Sequence, residues 1–217
     1  MREDKTEVEA FIEREAHIPG FLERVMLADD PTMAQFHLAG GLEGIRKVHQ
    51  LRQRVVETYG FSVLTSEVVK RLVPYSPFLE VGAGTGYWSY ELRRAGCISI
   101  ATDIYVPGAA AVPDLRYPFR RLQRFVDVIA TPAEEAVRKH AEKTLLMVWP
   151  EAGEEWSYDA LTAYAGERLI YVGVPERGRP QDDRFHDEIE QSWRLETRIR
   201  IPRFPAYQDA VFVYSRK

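Results

Sequence analysis

The chain has 217 residues, which is enough for one domain of ordinary size with an elaboration. With 45% hydrophobic and 29% charged residues, it falls outside the disordered, collagen-like and membrane-embedded classes. A formal net charge of -4 excludes a chain-wide attraction to nucleic acid or anionic membranes, and the single cysteine, Cys97, excludes a disulfide framework and a Cys-rich zinc module.

The first sixty residues predict helices, because their apolar residues recur at spacings of three to five and show no strand pattern. Two short helices are expected on either side of Pro19-Gly20, and a more regular helix over Leu42–Tyr59. A fourth helix should follow Thr65 or Ser66, either of which can cap it, and end before Pro74. We assign residues 1–60 to an N-terminal helical extension and residues 61–217 to the main domain.

From Phe78 onward, short apolar runs alternate with amphipathic stretches, which is typical of βα units and a mostly parallel sheet. The predicted strands are Phe78–Val81, Ile98–Thr102, Phe125–Ala130, Thr144–Val148, Arg168–Val174, Leu195–Ile201 and Ala210–Tyr214. The predicted helices between them are Tyr87–Ala95, Ala133–Ala141, Tyr158–Tyr164 and Arg184–Gln191. No helix fits between the last two strands, so the seventh strand should be antiparallel to its neighbour in a terminal hairpin.

The segment between Asp103 and Arg124 shows no clear element. Loops of that length in a compact domain are commonly functional, so it is either a lid or substrate-facing loop or a plain surface excursion. A dense basic run falls in or after it: Arg116, Arg120, Arg121 and Arg124. Such a run can contact phosphates, although a solvated face or a set of salt-bridge donors is the favoured interpretation in a net negative chain.

The most informative motif follows the first predicted strand, where Glu80-Val81-Gly82-Ala83-Gly84-Thr85-Gly86 turns into a helix. A dinucleotide-binding fingerprint would need glycine at position 87, where this chain has Tyr87. The pattern is instead an acid followed by GxGxG, and in this it resembles the class I S-adenosylmethionine-dependent methyltransferases. Asp103, at the end of the second strand and 17 residues beyond Gly86, extends the resemblance, because its carboxylate can accept hydrogen bonds from two ribose hydroxyls.

The resemblance implies a Rossmann-like α/β fold of three αβα layers, with a seven-stranded, mostly parallel sheet ending in an antiparallel hairpin. It also implies S-adenosylmethionine as cofactor. Glu80 would meet its methionine end, Gly82, Ala83, Gly84 and Gly86 would wrap the nucleoside, and Asp103 would hold the ribose. Many relatives carry an acid after the third strand that reaches the adenine. Here Thr131 would substitute for it, since Glu134 and Glu135 are better explained as carboxylates in the first turn of a helix.

After the fourth strand the chain reads Trp149-Pro150-Glu151, at the edge that should face the transferable methyl group. Nucleic-acid amino-methyltransferases carry Asp, Asn or Ser followed by Pro, Pro and an aromatic residue there, so this departure speaks against a base-amino target. Trp149 would wall the substrate pocket. Glu151 is the candidate catalytic group, as a proton acceptor or a residue that orients the nucleophile, unless it belongs to a solvated acidic loop. Tyr87 and Trp88 would line the mouth of the pocket or simply pack on the sheet.

These observations predict a methyltransferase acting on a small-molecule acceptor. One alternative is a methyltransferase acting on nucleic acid or protein, and another is a non-catalytic methyltransferase-like binding or scaffold protein. The helical extension would cover the acceptor site or form a homodimer. No metal site is expected, because the five histidines show no ligand spacing: His17, His37, His49, His140 and His186. No membrane partner is expected either, and the charged N-terminus, which lacks the apolar stretch of a signal peptide, points to a cytoplasmic protein.

Overall fold

The computed structural model describes residues 5–16, 20–28, 40–104, 124–150, 155–174, 183–204 and 207–217. The N-terminal part contains α1 (Glu7–Ala16), a π-helical turn (Leu22–Met26), α2 (Leu42–Tyr59) and α3 (Ser66–Leu72), followed by a 3-10 turn (Val73–Tyr75). The sheet region then runs β1 (Phe78–Val81), α4 (Tyr87–Arg94), β2 (Ser99–Asp103), β3 (Val128–Ala130), α5 (Ala133–Lys139), β4 (Thr144–Val148), α6 (Trp156–Ala163), β5 (Arg168–Gly173), α7 (Asp183–Ser192), β6 (Trp193–Arg200) and β7 (Ala210–Arg216).

Local capping explains where the N-terminal helices begin. The backbone amide of Thr6 donates to Glu9 Oε2 at 2.9 Å, and that of Glu9 donates back to Thr6 Oγ1 at 3.3 Å, which is a capping box. Thr65 caps α3 by accepting a hydrogen bond from the amide of Val68. α2 has the bounds expected from its periodicity, and Gly60 follows it at φ 105°.

The seven strands form one sheet in the order β3-β2-β1-β4-β5-β7-β6. β1 pairs in parallel with β2 and β4, whereas β7 is antiparallel to both β5 and β6. The predicted α/β class, the mostly parallel sheet and the terminal hairpin are therefore confirmed.

Some predicted bounds were wrong. The third strand begins only at Val128, not at Phe125, because the amide of Phe125 donates to the carbonyl of Thr85 at 2.9 Å and so leaves the sheet. β2 extends to Asp103, one residue beyond its predicted end, because it continues pairing with Ala130 of β3. The helix predicted over Tyr158–Tyr164 begins earlier, at Trp156.

Alternate residues of the strands point to opposite faces of the sheet and build two cores. Phe78 and Leu146 face a cluster that includes residues of α1 to α4, such as Ile12. Leu79 and Leu145 face a second cluster with residues of α5 to α7. The sheet is thus the middle of three layers, and the N-terminal helices share a core with it.

Within the described ranges, no helix is long and apolar enough to cross a membrane.

Candidate functional site

The glycine-rich loop lies at the carboxyl end of β1, in the middle of the parallel part of the sheet. Gly82, Gly84 and Gly86 have φ angles of 64°, 54° and 72°, a left-handed region in which side chains are strained. The amide of Gly86 donates to the carbonyl of Ala83 at 2.8 Å and closes the turn into α4. Glycine is therefore needed at these positions for backbone conformation, as the motif predicted.

Asp103 joins this loop to the neighbouring strand. The amide of Gly84 donates to Asp103 Oδ2 at 2.8 Å, and the Asp103 side chain is buried at the end of β2. The amide of Thr131 donates to the Asp103 carbonyl at 3.2 Å, so the third candidate position also lies on this side of the loop. Three residues that sequence alone placed in one site thus lie together at the ends of β1, β2 and β3.

Glu80, the acid that precedes the glycines, is buried beneath the loop. Its Oε2 accepts hydrogen bonds from the Ser89 amide at 3.0 Å and from Ser89 Oγ at 2.5 Å. Burial raises the pKa of Glu80 to about 7, and the two hydrogen bonds from Ser89 act in the opposite direction. Glu80 therefore links β1 to α4 through Ser89.

A cavity of about 60 Å³ borders the loop on the side of β4. It is lined by loop residues, by Glu80 and by aromatic side chains: Tyr59, Gly60, Phe61, Glu80, Gly82, Ala83, Gly84, Thr85, Tyr87, Trp88, Val148 and Trp149. The structure thus brings Tyr87, Trp88 and Trp149 together beside the loop, with Tyr87 and Trp88 also buried in the core. Glu151, the candidate catalytic residue, lies outside the described residues, as do Arg116, Arg120 and Arg121 of the basic run.

Trp149 has an unusual backbone and a buried partner. Its φ is 49°, an outlier for a bulky residue, and outliers of this kind persist where the surroundings determine them. Its indole Nε1 donates to Asp209 Oδ2 at 3.3 Å, and Ser62 Oγ donates to the same oxygen at 2.8 Å. Asp209 Oδ1 is buried and has no hydrogen-bond partner in the described part of the chain. Burial raises the pKa of the Asp209 carboxyl above its usual value.

Asp209 and Phe61 were missed by the sequence analysis. The Phe61 ring stacks on that of Trp149, with centroids 5.6 Å apart. Phe61 follows α2 and Asp209 precedes β7, and neither carries a local motif. The sheet order, which sets the start of β7 beside β5, brings Asp209 near the end of β4, and Phe61 reaches Trp149 by ring stacking.

The N-terminal helices reach the site through Tyr87, the first residue of α4. Its hydroxyl accepts a hydrogen bond from the Val8 amide at 3.0 Å and donates one to Glu91 at 3.0 Å. Glu91 also accepts from the Glu7 amide at 2.9 Å. The start of α1 is therefore bound to the helix that the glycine-rich loop leads into.

Two side chains cover the glycine-rich loop. A Cβ atom on Gly82 would lie 2.7 Å from the Trp156 ring, and one on Gly86 would lie 2.5 Å from Val126 Cγ2. The arrangement fits an adenosine ligand, since the buried Asp103 carboxylate, which can accept hydrogen bonds from ribose hydroxyls, stands at the end of the neighbouring strand beside a turn of glycines. At about 60 Å³ the cavity is smaller than an adenosine ligand or an aromatic acceptor, so its walls have to move apart before either can bind.

Other residues singled out from the sequence lie apart from this site. Glu134 and Glu135 are exposed in the first turn of α5, where carboxylates suit the helix dipole. Arg124 is exposed and Cys97 is buried. Among the described residues, no group of three or more His, Cys, Asp or Glu residues is placed to hold a metal ion.

The sheet order and the position of the acid-GxGxG loop define the fold as that of the class I methyltransferases. Neither a protein-family model nor a curated protein matches the chain.

Solved structures with a similar fold include magnesium protoporphyrin IX methyltransferase from Synechocystis PCC 6803 with bound SAH. It is 16% identical over 80% of this chain and 85% of that chain, with a TM-score of 0.46. A SAM-dependent methyltransferase from Archaeoglobus fulgidus is 13% identical over 78% of this chain and 94% of its own, with a TM-score of 0.42. A putative RNA methyltransferase from Pyrococcus horikoshii is 14% identical over 70% of this chain and 80% of its own, with a TM-score of 0.41.

Proposed function

We propose that the protein is an S-adenosylmethionine-dependent methyltransferase that acts on a small-molecule acceptor in the cytoplasm. The observation that carries this proposal is the hydrogen bond from the Gly84 amide to the buried Asp103 carboxylate. It unites the two motifs of the resemblance, the glycine-rich loop and the acid after β2, at one edge of the sheet. Ligands of open α/β sheets bind at this edge, outside the carboxyl ends of the strands.

Different residues of the site would bind different parts of the cofactor. Asp103 would accept hydrogen bonds from the ribose hydroxyls, and Thr131 would lie toward the adenine. The loop from Gly82 to Gly86 would approach the nucleoside closely because it carries few side chains. By resemblance, the methionine end would lie toward Glu80, whose position is fixed by Ser89.

S-adenosylmethionine supplies a methyl group already activated on a sulfonium, so little acid or base assistance is required. The task left to the protein is to hold the acceptor in line with that methyl group and to exclude water. The aromatic side chains of the cavity suit this task. They also favour a small acceptor over nucleic acid, because none of the described residues that line the cavity is an arginine or a lysine.

The N-terminal extension, residues 1–60, would cover the acceptor site. Tyr59 at the end of α2 lines the cavity, and α1 is bound to Tyr87. Homodimerisation through the same helices is the alternative use of this region.

Calorimetric titration of the full chain with S-adenosylmethionine, S-adenosylhomocysteine and NAD tests the cofactor assignment. We expect binding of the first two and none of NAD. Asp103→Ala and Gly84→Val should each weaken the binding by at least about tenfold, the loss of one charge-assisted hydrogen bond or of a left-handed glycine. Glu134→Ala, which removes an exposed acid of α5, is the matched control and should bind like the wild type. Equal binding by wild type, Asp103→Ala and Gly84→Val would contradict the proposal.

Incubation of the full chain with candidate acceptors, read out as S-adenosylhomocysteine formed, tests catalysis. A nucleic-acid acceptor would instead reveal itself by an association with DNA or RNA that weakens steeply as salt is added.

A further inference from the structure

The order of the strands places the end of a different strand on each side of the glycine-rich loop. β1, which leads into the loop, lies between β2 and β4. Asp103 stands at the end of β2, and Trp149 follows the end of β4. If the nucleoside lies toward Asp103, as the proposed function requires, the acceptor has to approach from the side of Trp149.

The cavity on that side has an aromatic wall, by which we mean Tyr59, Phe61, Tyr87, Trp88 and Trp149. Glu80 is the one acidic or basic residue among the described residues that line this cavity, and its carboxylate is bound by Ser89. Aromatic side chains offer large flat surfaces and prefer stacked or edge-on contacts with other rings. A wall of this kind selects a ligand by its flat face more than by its charge.

The wall is held in place by contacts outside the cavity. Trp149 stacks on Phe61 and meets the edge of the Tyr207 ring at 6.0 Å. Its indole N–H donates a hydrogen bond to the buried Asp209, and Ser62 donates to the same carboxylate oxygen. Because its single donor is already bonded to Asp209, the indole offers no hydrogen bond to a ligand in the cavity.

We propose that the aromatic wall is the acceptor subsite of the enzyme and that it binds a planar, uncharged aromatic acceptor. The inference rests on the proposed function for the position of the cofactor, and on the aromatic wall for the chemistry of the acceptor. Asp209 is a positioning residue in this subsite, because it acts on the acceptor only through Trp149.

The test compares a planar aromatic alcohol with its saturated, non-planar counterpart. The full chain, saturated with S-adenosylhomocysteine, is titrated with 2-naphthol and with decahydro-2-naphthol, which carries the same hydroxyl on a saturated ring system. We expect 2-naphthol to bind with a dissociation constant roughly three- to tenfold lower, the gain that ring-on-ring contacts give beyond buried area. Tetramethylammonium is the third probe, because a set of aromatic rings can also surround a cation.

Substitutions test which residues produce the preference for 2-naphthol over decahydro-2-naphthol. Trp149→Leu and Phe61→Leu should reduce it, and Trp149→Phe, which keeps an aromatic ring, should retain part of it. Phe185→Leu is the matched control, since Phe185 is buried on the opposite face of the sheet. Asp209→Leu should reduce the preference as Trp149→Leu does, whereas Asp209→Asn keeps an oxygen that can accept the indole N–H and should restore it.

The outcomes separate this inference from the proposed function. Failure to bind S-adenosylhomocysteine would remove both. Binding of S-adenosylhomocysteine with no preference for 2-naphthol, with no binding of either alcohol, or with tighter binding of tetramethylammonium would overturn the aromatic acceptor and leave the cofactor assignment standing. A preference that survives in Asp209→Leu would show that Asp209 does not position Trp149.

Discussion

Gly84 donates its backbone N–H to Asp103 Oδ2 at 2.8 Å, so the loop after β1 and the acid after β2 form one hydrogen-bonded unit. Asp103 is buried, and a buried acceptor of a backbone N–H contributes to folding as well as to any ligand it holds. Its two roles can be separated by substitution.

Asp103→Ala should lower the free energy of unfolding by about 1.5–3 kcal/mol, because the Gly84 N–H loses its charged acceptor. Asp103→Asn keeps an oxygen for that N–H and should cost less than Asp103→Ala. It should still bind S-adenosylhomocysteine more weakly than the wild type, since an amide offers a ribose diol one acceptor where a carboxylate offers two. Urea unfolding and calorimetry on the same samples measure the two effects. A stable Asp103→Asn protein with wild-type affinity would show that Asp103 only supports the loop.

The raised pKa of Glu80 predicts that the free energy of unfolding depends on pH. Its pKa is raised from 4.5 to about 7 by burial, so the folded protein binds more protons than the unfolded chain between these values. Its contribution to stability is therefore largest below pH 4.5 and is lost as the pH rises through 7. At about 1.4 kcal/mol for each pH unit, the loss is on the order of 3 kcal/mol.

Unfolding free energies of wild type and Glu80→Gln, measured from pH 5 to pH 8, test this directly. The glutamine keeps an oxygen for Ser89 and does not titrate, so the difference between the two proteins should shift in favour of Glu80→Gln as the pH rises. A difference that stays constant over this range would show that the Glu80 pKa is not raised.

The outline of this fold was predictable because its signals are local. The apolar periodicity of α2 and the acid-GxGxG turn after β1 each lie within one continuous segment, and the structure places both where the sequence indicated. The start of β3 was not predictable, because it depends on a hydrogen bond between Phe125 and Thr85 across the fold.

The hydrogen bond between Trp149 and Asp209 could not be predicted either, because it too is a long-range contact. Asp209 stands 60 residues away in the sequence and precedes an apolar strand, a pattern that carries no functional signal. Asp209 becomes a buried carboxylate near Trp149 only because β7 lies between β5 and β6 in the sheet. Long-range pairing of this kind brings Asp209 to Trp149, whereas the glycine-rich loop and Asp103 come from neighbouring motifs.

Gly86→Ala should destabilise the protein for two separable reasons. Its φ of 72° costs a non-glycine residue about 1–2 kcal/mol, and the added Cβ would lie 2.5 Å from Val126, which costs roughly 1–3 kcal/mol more. Gly96→Ala is the matched control, because Gly96 also has a left-handed φ, of 87°, but nothing lies within 4 Å of the added Cβ.

Urea unfolding of both variants gives the size of each cost. The double substitution Gly86→Ala with Val126→Ala should recover part of the loss, since it removes the obstructing methyl groups. If Gly86→Ala and Gly96→Ala cost the same, the contact with Val126 makes no contribution.

Tyr87→Phe tests whether the N-terminal helix and the glycine-rich loop are energetically connected. The substitution removes the hydroxyl that the buried Val8 amide donates to, and it takes one donor from Glu91. We expect a loss of about 1–3 kcal/mol, the cost of leaving a buried polar group unpaired. Tyr90→Phe is the control one turn away. Its hydroxyl donates to Glu7 at 2.8 Å near the surface, where water can replace it, so the loss should stay below about 1 kcal/mol.

The same two variants also report on binding. Because Tyr87 is the first residue after Gly86, a loosened α1 should weaken S-adenosylhomocysteine binding in Tyr87→Phe and leave it unchanged in Tyr90→Phe. Hydrogen exchange of the α1 amides, measured with and without S-adenosylhomocysteine, provides a second readout. Protection of α1 by the ligand in wild type that is lost in Tyr87→Phe would establish the connection, and protection that is equal in both proteins would refute it.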